Sequence, residues 1–333
     1  MSRPTILDVA ERAGVSKSLV SLVMQGSSHV SDDKRTDVLK AARELGYRPN
    51  TMARSLVQQR SYVLGVMLSN LHNPFFADVV DGIEDRALES GYRALLNSGR
   101  RIPEREGVAL ETLLRLQTDG LILAGTLLDL RTIDAAGEEV PTVLITRDLK
   151  SKVVDSVSGD DRRGARLAVD HLVALGHTRI AHIDGGRGAG ARRRKAGFVR
   201  AMKAHGLEPI TVAGNYAEEG GMLGVERLIE TGANPTAIFA ANDLAAIGTL
   251  QALFEAGRTV PDDVSLVGYD NAWLAGLQHL SLTTVDQPRH ELGATAVELL
   301  IERIDGGRTE SKHLVLPPTL VERSTTGPPS RGL

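Results

Sequence analysis

From Tyr62 onward the chain alternates short apolar runs of strand length with longer amphipathic stretches of helical period, and few folds accept that pattern. "YVLGVMLS" (62–69) reads as a buried strand, followed by a helix from about Pro74 to Ser90. The pattern returns in "GYRALLNS", a helix near 104–118, "DGLILAG", a further helix and "PTVLITR". A second series opens at Asp155 with "DSVSGD", helix 161–175, "TRIAHIDGG", helices 191–205 and 217–231, "PTAIFAAND", helix 243–257 and "DVSLVGYDN". Strands joined through helices lie parallel, with right-handed crossovers. Two series predict two similar α/β lobes. Sheets of this kind take small ligands beyond the carboxyl ends of their strands, here in a cleft between the lobes.

The first sixty residues follow a different rule. Thr5 and Asp8 make a helix start, a hydroxyl cap with an acid in the first turn. Ile6, Val9, Ala10 and Ala13 then recur at helical spacing, Gly14 stops the helix, and Ser16 caps the next, whose apolar stripe is Val20, Val23 and Met24. A third helix after Ser31 runs to about Leu45 with Val38, Leu39, Ala42 and Leu45 inward, stopped by Gly46 and Pro49. Two helices joined by a short glycine-containing turn and closed by a third make either a helix-turn-helix or a plain three-helix bundle. Charge bears on the choice. Residues 1–60 carry ten Lys/Arg and six Asp/Glu, a net +4, whereas the rest carries 29 and 36, a net −7. A basic head on an acidic body points to a polyanionic partner.

The residues themselves go further. "TILDVAERAGVSKSLVSLVM", "HVSDDKRTDVLKAARELGYRPN" and "MARSL" closely resemble the head of the lactose-repressor (LacI/GalR) family of bacterial transcription factors. The resemblance continues through "NPFF" (73–76), "ALGHTRIAHIDG" (174–185), "RKAGF" (194–198), "AND" (241–243), "VGYDN" (267–271) and "LTTVDQP" (282–288). It implies an α/β fold: a small all-α helix-turn-helix head and a two-lobed, periplasmic-binding-protein-like body with parallel sheets. The implied divisions are a DNA-binding head (1–48), a hinge (49–60), a body (61–325) and a flexible tail (326–333). One lobe takes about 61–160 plus 288–322, the other about 161–287.

Carried over by position, Lys17, Ser18 and Leu22 face base edges, while Thr5, Ser16, Ser21, His29 and Asn50 hold phosphates or fix register. Ala53 and Leu56 belong to a hinge helix that meets the minor groove, with Leu56 wedged into the central base step. Phe75, Phe76, Thr146, Arg194, Tyr216, Asn242, Asp270 and Gln287 line the effector cleft. The chemistry agrees with the placement. Lysine and serine suit base edges and phosphates. Asp270, Asn242 and Arg194 make directional bonds to hydroxyls, and the aromatic rings offer flat faces to a sugar.

Four departures from the family pattern stand out. Leu19 and Leu22 replace the usual Thr and Arg, so position 22 offers apolar contact, as with a thymine methyl, where Arg pairs with guanine. Thr146-Arg147 lacks the Asp that often precedes this Arg, and Trp273, the single tryptophan, stands where it either covers the cleft or merely packs.

Other motifs resolve against catalysis. Gly186 to Ala191 matches a dinucleotide fingerprint in outline but lacks the acidic residue on a following strand. The run from Arg192 to Lys195 fits a helix start beside an anionic or polyhydroxylated ligand better than a nucleic-acid patch, and Arg192 and Arg193 fit solvated charge better still. The nine histidines show no metal spacing, and no nucleophile elbow or phosphate loop occurs. No cysteine is present, no apolar signal region follows the start, and no run approaches a membrane span, which together predict a cytoplasmic protein that meets the nucleoid through its operator.

The sequence therefore predicts a regulator, not an enzyme, without cofactor or metal. Its expected partners are double-stranded operator DNA, a second copy of itself in a homodimer, and a small-molecule effector, a sugar; no membrane is expected. A purine or phosphorylated co-repressor is the second reading, and a sugar-binding transport protein or enzyme the third.

Overall fold

The computed structural model describes residues 4–24, 27, 29–47, 60–147, 149 and 151–330. The chain divides into two compact units, Met1–Ser61 and Tyr62–Leu333.

The first unit holds α1 (Ile6–Ala13), α2 (Lys17–Met24) and α3 (Asp32–Leu45). A capping box opens α1: Thr5 N–H donates to Asp8 Oδ2 at 2.6 Å and Asp8 N–H to Thr5 Oγ1 at 3.4 Å. Gly14 closes it in the left-handed conformation, φ 64°, which glycine adopts without the penalty a Cβ brings. Ser16 Oγ then accepts from Leu19 N–H at 3.2 Å and starts α2. The three helices share a core of Val9, Val20, Val23, Val30, Val38, Ala41 and Ala42. Leu39, expected inward, is exposed. The buried face of α3 runs through Val38, Ala41 and Ala42, and Leu39 lies about 100° round the helix from Val38.

The second unit contains two lobes. The first is built from β1 (Val63–Leu68), α4 (Phe75–Glu89), β2 (Arg93–Ser98), α5 (Pro103–Arg115), β3 (Gly120–Ala124), α6 (Leu130–Glu139), β4 (Thr142–Ile145) and β5 (Asp155–Gly159). The second continues with α7 (Asp161–Ala174), β6 (Ile180–Ile183), α8 (Ala191–Ala204), β7 (Ile210–Val212), α9 (Glu218–Glu230), β8 (Ala237–Ala240), α10 (Asp243–Glu255), β9 (Ser265–Asp270), a short 3₁₀ turn (Trp273–Gly276) and β10 (Thr284–Asp286). The chain then returns through α11 (Arg289–Ile304) and β11 (His313–Leu316) and ends on β12 (Thr319–Val321). The sheets run β11-β5-β4-β3-β1-β2 and β12-β10-β9-β8-β6-β7. Their strands pair in parallel, except that β12 runs antiparallel to β10.

Alternation along each strand covers both faces of both sheets. Leu64, Val66 and Leu68 pack under α4 and α11, while Met67 packs with α5 and α6 on the other side. In the second lobe Phe239 and Val267 meet α7 and α8, and Ile238 and Leu266 meet α9 and α10.

The observed architecture corrects several sequence expectations. "DSVSGD", which the alternation groups with the second series although the implied lobe bound at 160 leaves it in the first, is β5 of the first sheet, held there by Arg303 and Arg308 on the buried Asp155 carboxylate at 2.8 and 2.6 Å. The last strand, β12, joins the second sheet, so the segment assigned to the first lobe stops before Thr319 rather than at Glu322. The three-residue β7 is too short and too polar in its surroundings to stand out between two helices. The residues after 325 do not begin as a free tail. His171 Nε2 bonds Thr326 Oγ1 at 2.9 Å, and Gly327 O accepts from His177 Nε2 at 2.9 Å.

Candidate functional site

The chain passes between the lobes three times, at Asp160, at Gln287-Pro288 and at Pro317-Pro318, and a cleft opens beside these crossings. It encloses about 640 Å³ of empty space that continues into solvent. All eight residues expected there line it: Phe75, Phe76, Thr146, Arg194, Tyr216, Asn242, Asp270 and Gln287. They come from strand ends and helix starts of both lobes, as parallel sheets require.

Phe75 and Phe76 begin α4 and stand edge to face, ring centres 5.1 Å apart. Asn73 sets this turn, its Oδ1 accepting from Phe75 N–H at 3.0 Å. Phe75 belongs to the core of the first lobe as well as to the cleft. Thr146 follows β4 with a left-handed φ of 68°. Its neighbour Arg147 turns into the first lobe, donating to the carbonyls of Thr126 and Leu128.

The second lobe supplies most of the polar groups. Arg194, on the first turn of α8, is buried and pairs with Asp161 at 2.8 Å, donates to Ala241 O, and lies 3.3 Å from the Tyr269 ring centre. Burial opposes its charge, yet Tyr216 and Asp161 beside it hold its pKa above the ordinary arginine range. Burial likewise pushes the Asp161 carboxyl up against the pull of Arg194. Asn242 caps α10, its Oδ1 accepting from Ala245 N–H at 2.9 Å, and its buried Nδ2 has no partner among the described residues. Asp270 ends β9 with Oδ1 accepting from Gln287 Nε2 at 2.7 Å. Burial raises its carboxyl pKa and that of Asp243 behind it, and the negative charge of Asp270 raises Asp243 further.

Tyr216 explains the glycine-rich loop. Its hydroxyl donates to Ala189 O at 2.9 Å, and its ring lies against Gly185 and Gly188, where any side chain would collide with it. The loop thus wraps an aromatic wall of the cleft. Trp273 does not cover the cleft; it stands 64% exposed elsewhere. Sequence reasoning missed Ser69, Asn70, Arg101 and Asp161, all of which line the cleft. Asp161 stands in the first turn of α7, where an acid is ordinary, and only its contact with Arg194 marks it. Among the described residues no cluster of His, Cys, Asp and Glu is placed to hold a metal.

In the head, α2 presents Lys17, Ser18 and Leu22 outward, with Ser21 beside them half-buried. Leu22 is 40% exposed and outside the core, whereas Leu19 packs against it. Ser16 is occupied as a cap acceptor, and Thr5 Oγ1 donates to Asp8 Oδ2 at 2.9 Å. His29 is exposed. Asn50, Ala53 and Leu56, with the rest of the hinge as far as residue 59, lie outside the described residues.

Known proteins resemble both units. Residues 5–50 match the family described as bacterial regulatory proteins, lacI family, and residues 169–326 match the periplasmic binding protein-like domain. The chain is 36% identical over 334 residues to the HTH-type transcriptional regulator DegA of Bacillus subtilis (strain 168), covering 98% of this chain and 99% of that one. It is 36% identical over 327 residues to the ribose operon repressor of Escherichia coli (strain K12), covering 96% and 99%. A crystal structure of the lac repressor dimer bound to operator and the anti-inducer ONPF matches with a TM-score of 0.87 at 33% identity, covering 98% of this chain and 100% of that one. Full-length identity, the helical head and the two-lobed body agree: the chain belongs to the lacI family of DNA-binding bacterial transcriptional regulators.

Proposed function

We propose that the protein is a cytoplasmic repressor, associated with the nucleoid through its operator, that binds a pseudo-palindromic site as a homodimer and is controlled by a neutral, polyhydroxylated effector of monosaccharide size. The observation that carries the effector reading is the buried Asn242 Nδ2, without a partner among the described residues and set in one cleft with the Asp270 carboxylate and the Arg194–Asp161 pair. These groups meet hydroxyls with directional bonds, and Phe76 and Tyr216 offer the flat faces a sugar ring needs. Arg194 is already neutralised by Asp161, and Asp270 has an amide as its side-chain partner. Two guanidinium groups, those of Arg194 and Arg101, face two carboxylates, which leaves no surplus positive charge for a phosphate. The name of the ribose operon repressor makes D-ribose the first probe.

At the DNA, Lys17, Ser18 and Leu22 read base edges, and Thr5, Ser16, Ser21, His29 and Asn50 fix register on the backbone. Ala53 and Leu56 enter the minor groove in the dimer. Exposed apolar side chains support self-association: Phe254 is 81% exposed on α10.

The test joins in vitro selection of duplexes with ligand titration. A palindrome with a kinkable centre is the expected product of selection. D-ribose at a hundredfold excess over its Kd stabilises the protein by about 2.7 kcal/mol and shifts operator affinity. Stabilisation by guanine or by glucose 6-phosphate, with none from D-ribose or other free sugars, would overturn the effector class.

A further inference from the structure

Arg289 ties the two lobes together at the polar end of the cleft, and we propose that it is a positioning residue that aims Asp270 and sets the resting closure of the cleft. The proposal rests on the reading of this cleft as the effector site. Its first support is the mounting of Arg289. Where α4 and α11 cross, a Cβ on Gly82 would fall 2.0 Å from His290 O, and one on Gly293 would fall 2.0 Å from Val79 O. The helices therefore touch backbone to backbone, and the start of α11 is fixed to the first lobe. Arg289 is the first residue of α11, and its Nε donates to Asp78 Oδ2 on α4 at 2.5 Å.

The other end of the guanidinium reaches the second lobe. Nη1 donates to Asp270 O at the end of β9 and to Asp286 Oδ1 at the end of β10, the latter at 2.7 Å. Asp270 needs such restraint. Its φ is 118°, in a region that L residues rarely adopt and that persists only where the surroundings over-determine it. Arg289 holds the Asp270 carbonyl while Gln287 holds its carboxylate. The same α4 presents Phe75 and Phe76 to the cleft. One helix thus fixes the apolar wall directly and, through Arg289, the carboxylate that ends β9. A planar fork can serve Asp78, Asp286 and a carbonyl together; the point charge of lysine cannot reproduce that geometry.

The chain has no cysteine, so two introduced ones report cleanly. Glu104→Cys and Glu219→Cys place spin labels on exposed first turns of α5 and α9, next to Arg101 and Tyr216 of the cleft. Pulsed electron resonance on the full-length, ligand-free protein should give one narrow distance distribution. Arg289→Met should lengthen and broaden it, with the odds of the short distance falling at least tenfold. Asp78→Asn, which alters no residue lining the cleft, should act in the same direction, and Arg289→Lys should fall between. Unchanged distributions in folded Arg289→Met or Asp78→Asn protein would overturn the proposal. A D-ribose titration follows on the same samples. If the labels behave as expected but D-ribose neither binds nor narrows any distribution, the sugar reading fails and the Arg289 strap stands.

Discussion

Leu22 stands free of the head's core on the same exposed surface of α2 as Ser18, one turn away. It is therefore available to DNA, and its chemistry limits it to apolar contact. Leu22→Arg should move the selected half-site toward guanine at one position while leaving the rest of the palindrome intact, read by sequencing the enriched duplexes. Identical selections from both proteins would show that Leu22 reads nothing. Leu19 shows the opposite case: it departs from the family pattern but is absorbed by the core. In the cleft, Asp161 balances a buried guanidinium. Asp161→Asn leaves that charge without its counter-ion and should cost about 3–5 kcal/mol in chemical denaturation. Stability within 1 kcal/mol of the parent would mean that Ala241 O and the Tyr269 ring satisfy Arg194 without Asp161.

At the scale of elements, the crossing of α4 and α11 depends on two glycines with no room for a methyl group. Gly293→Ala should push the helices apart and lower stability by at least about 1–3 kcal/mol. Gly107→Ala, in α5 with open space around it, should instead stabilise by about 0.5–1 kcal/mol because alanine loses less backbone entropy. Equal effects from the two substitutions, measured by urea denaturation, would contradict the packing argument. The alternation of strand and helix was legible because the central strands, such as β1, β3 and β8, are apolar on both faces and most of the helices on one. The elements that escaped notice were short, like β7, or were misassigned by sheet, like β5 and β12. Period and propensity say that a segment is a strand; which sheet it joins depends on distant partners such as Arg303 and Arg308 on Asp155. The cleft residues were legible only through matched motifs. Asp161 carried no local signal, because its meaning lies in Arg194, thirty-three positions away.

Across the whole molecule, burial of imidazoles gives stability a dependence on pH. His182 lies between Phe198 and Phe239 in the second lobe, its Nδ1–H donating to Phe239 O at 2.9 Å. Burial lowers its pKa from 6.5 to about 4. The unfolded chain therefore takes up the proton first as pH falls, and the folded state loses stability between about pH 6.5 and 4, by roughly 3 kcal/mol. Burial also lowers His171 and His177, which adds in the same direction. Thermal melts from pH 7.5 to 4.5 should show the midpoint falling, and His182→Gln should flatten the slope. A slope unchanged by that substitution would place the proton uptake elsewhere.

The three crossings also set an order in time. The first lobe is written in separated stretches of the sequence, and the α11 residues that cover Leu64, Val66 and Val79 come after the second lobe's five strands and four α-helices from α7 through β10. Between the end of β5 at Gly159 and the end of α11 at Ile304 a ribosome must add 145 residues (304 − 159), which takes roughly 7–30 s at 5–20 residues per second. During that interval the earlier half of the nascent body shows a bare apolar sheet face, while residues 161–286 already contain nearly all they need to close their own core. The later-made lobe should finish first, and the earlier one is the natural client of a chaperone until its last helix emerges.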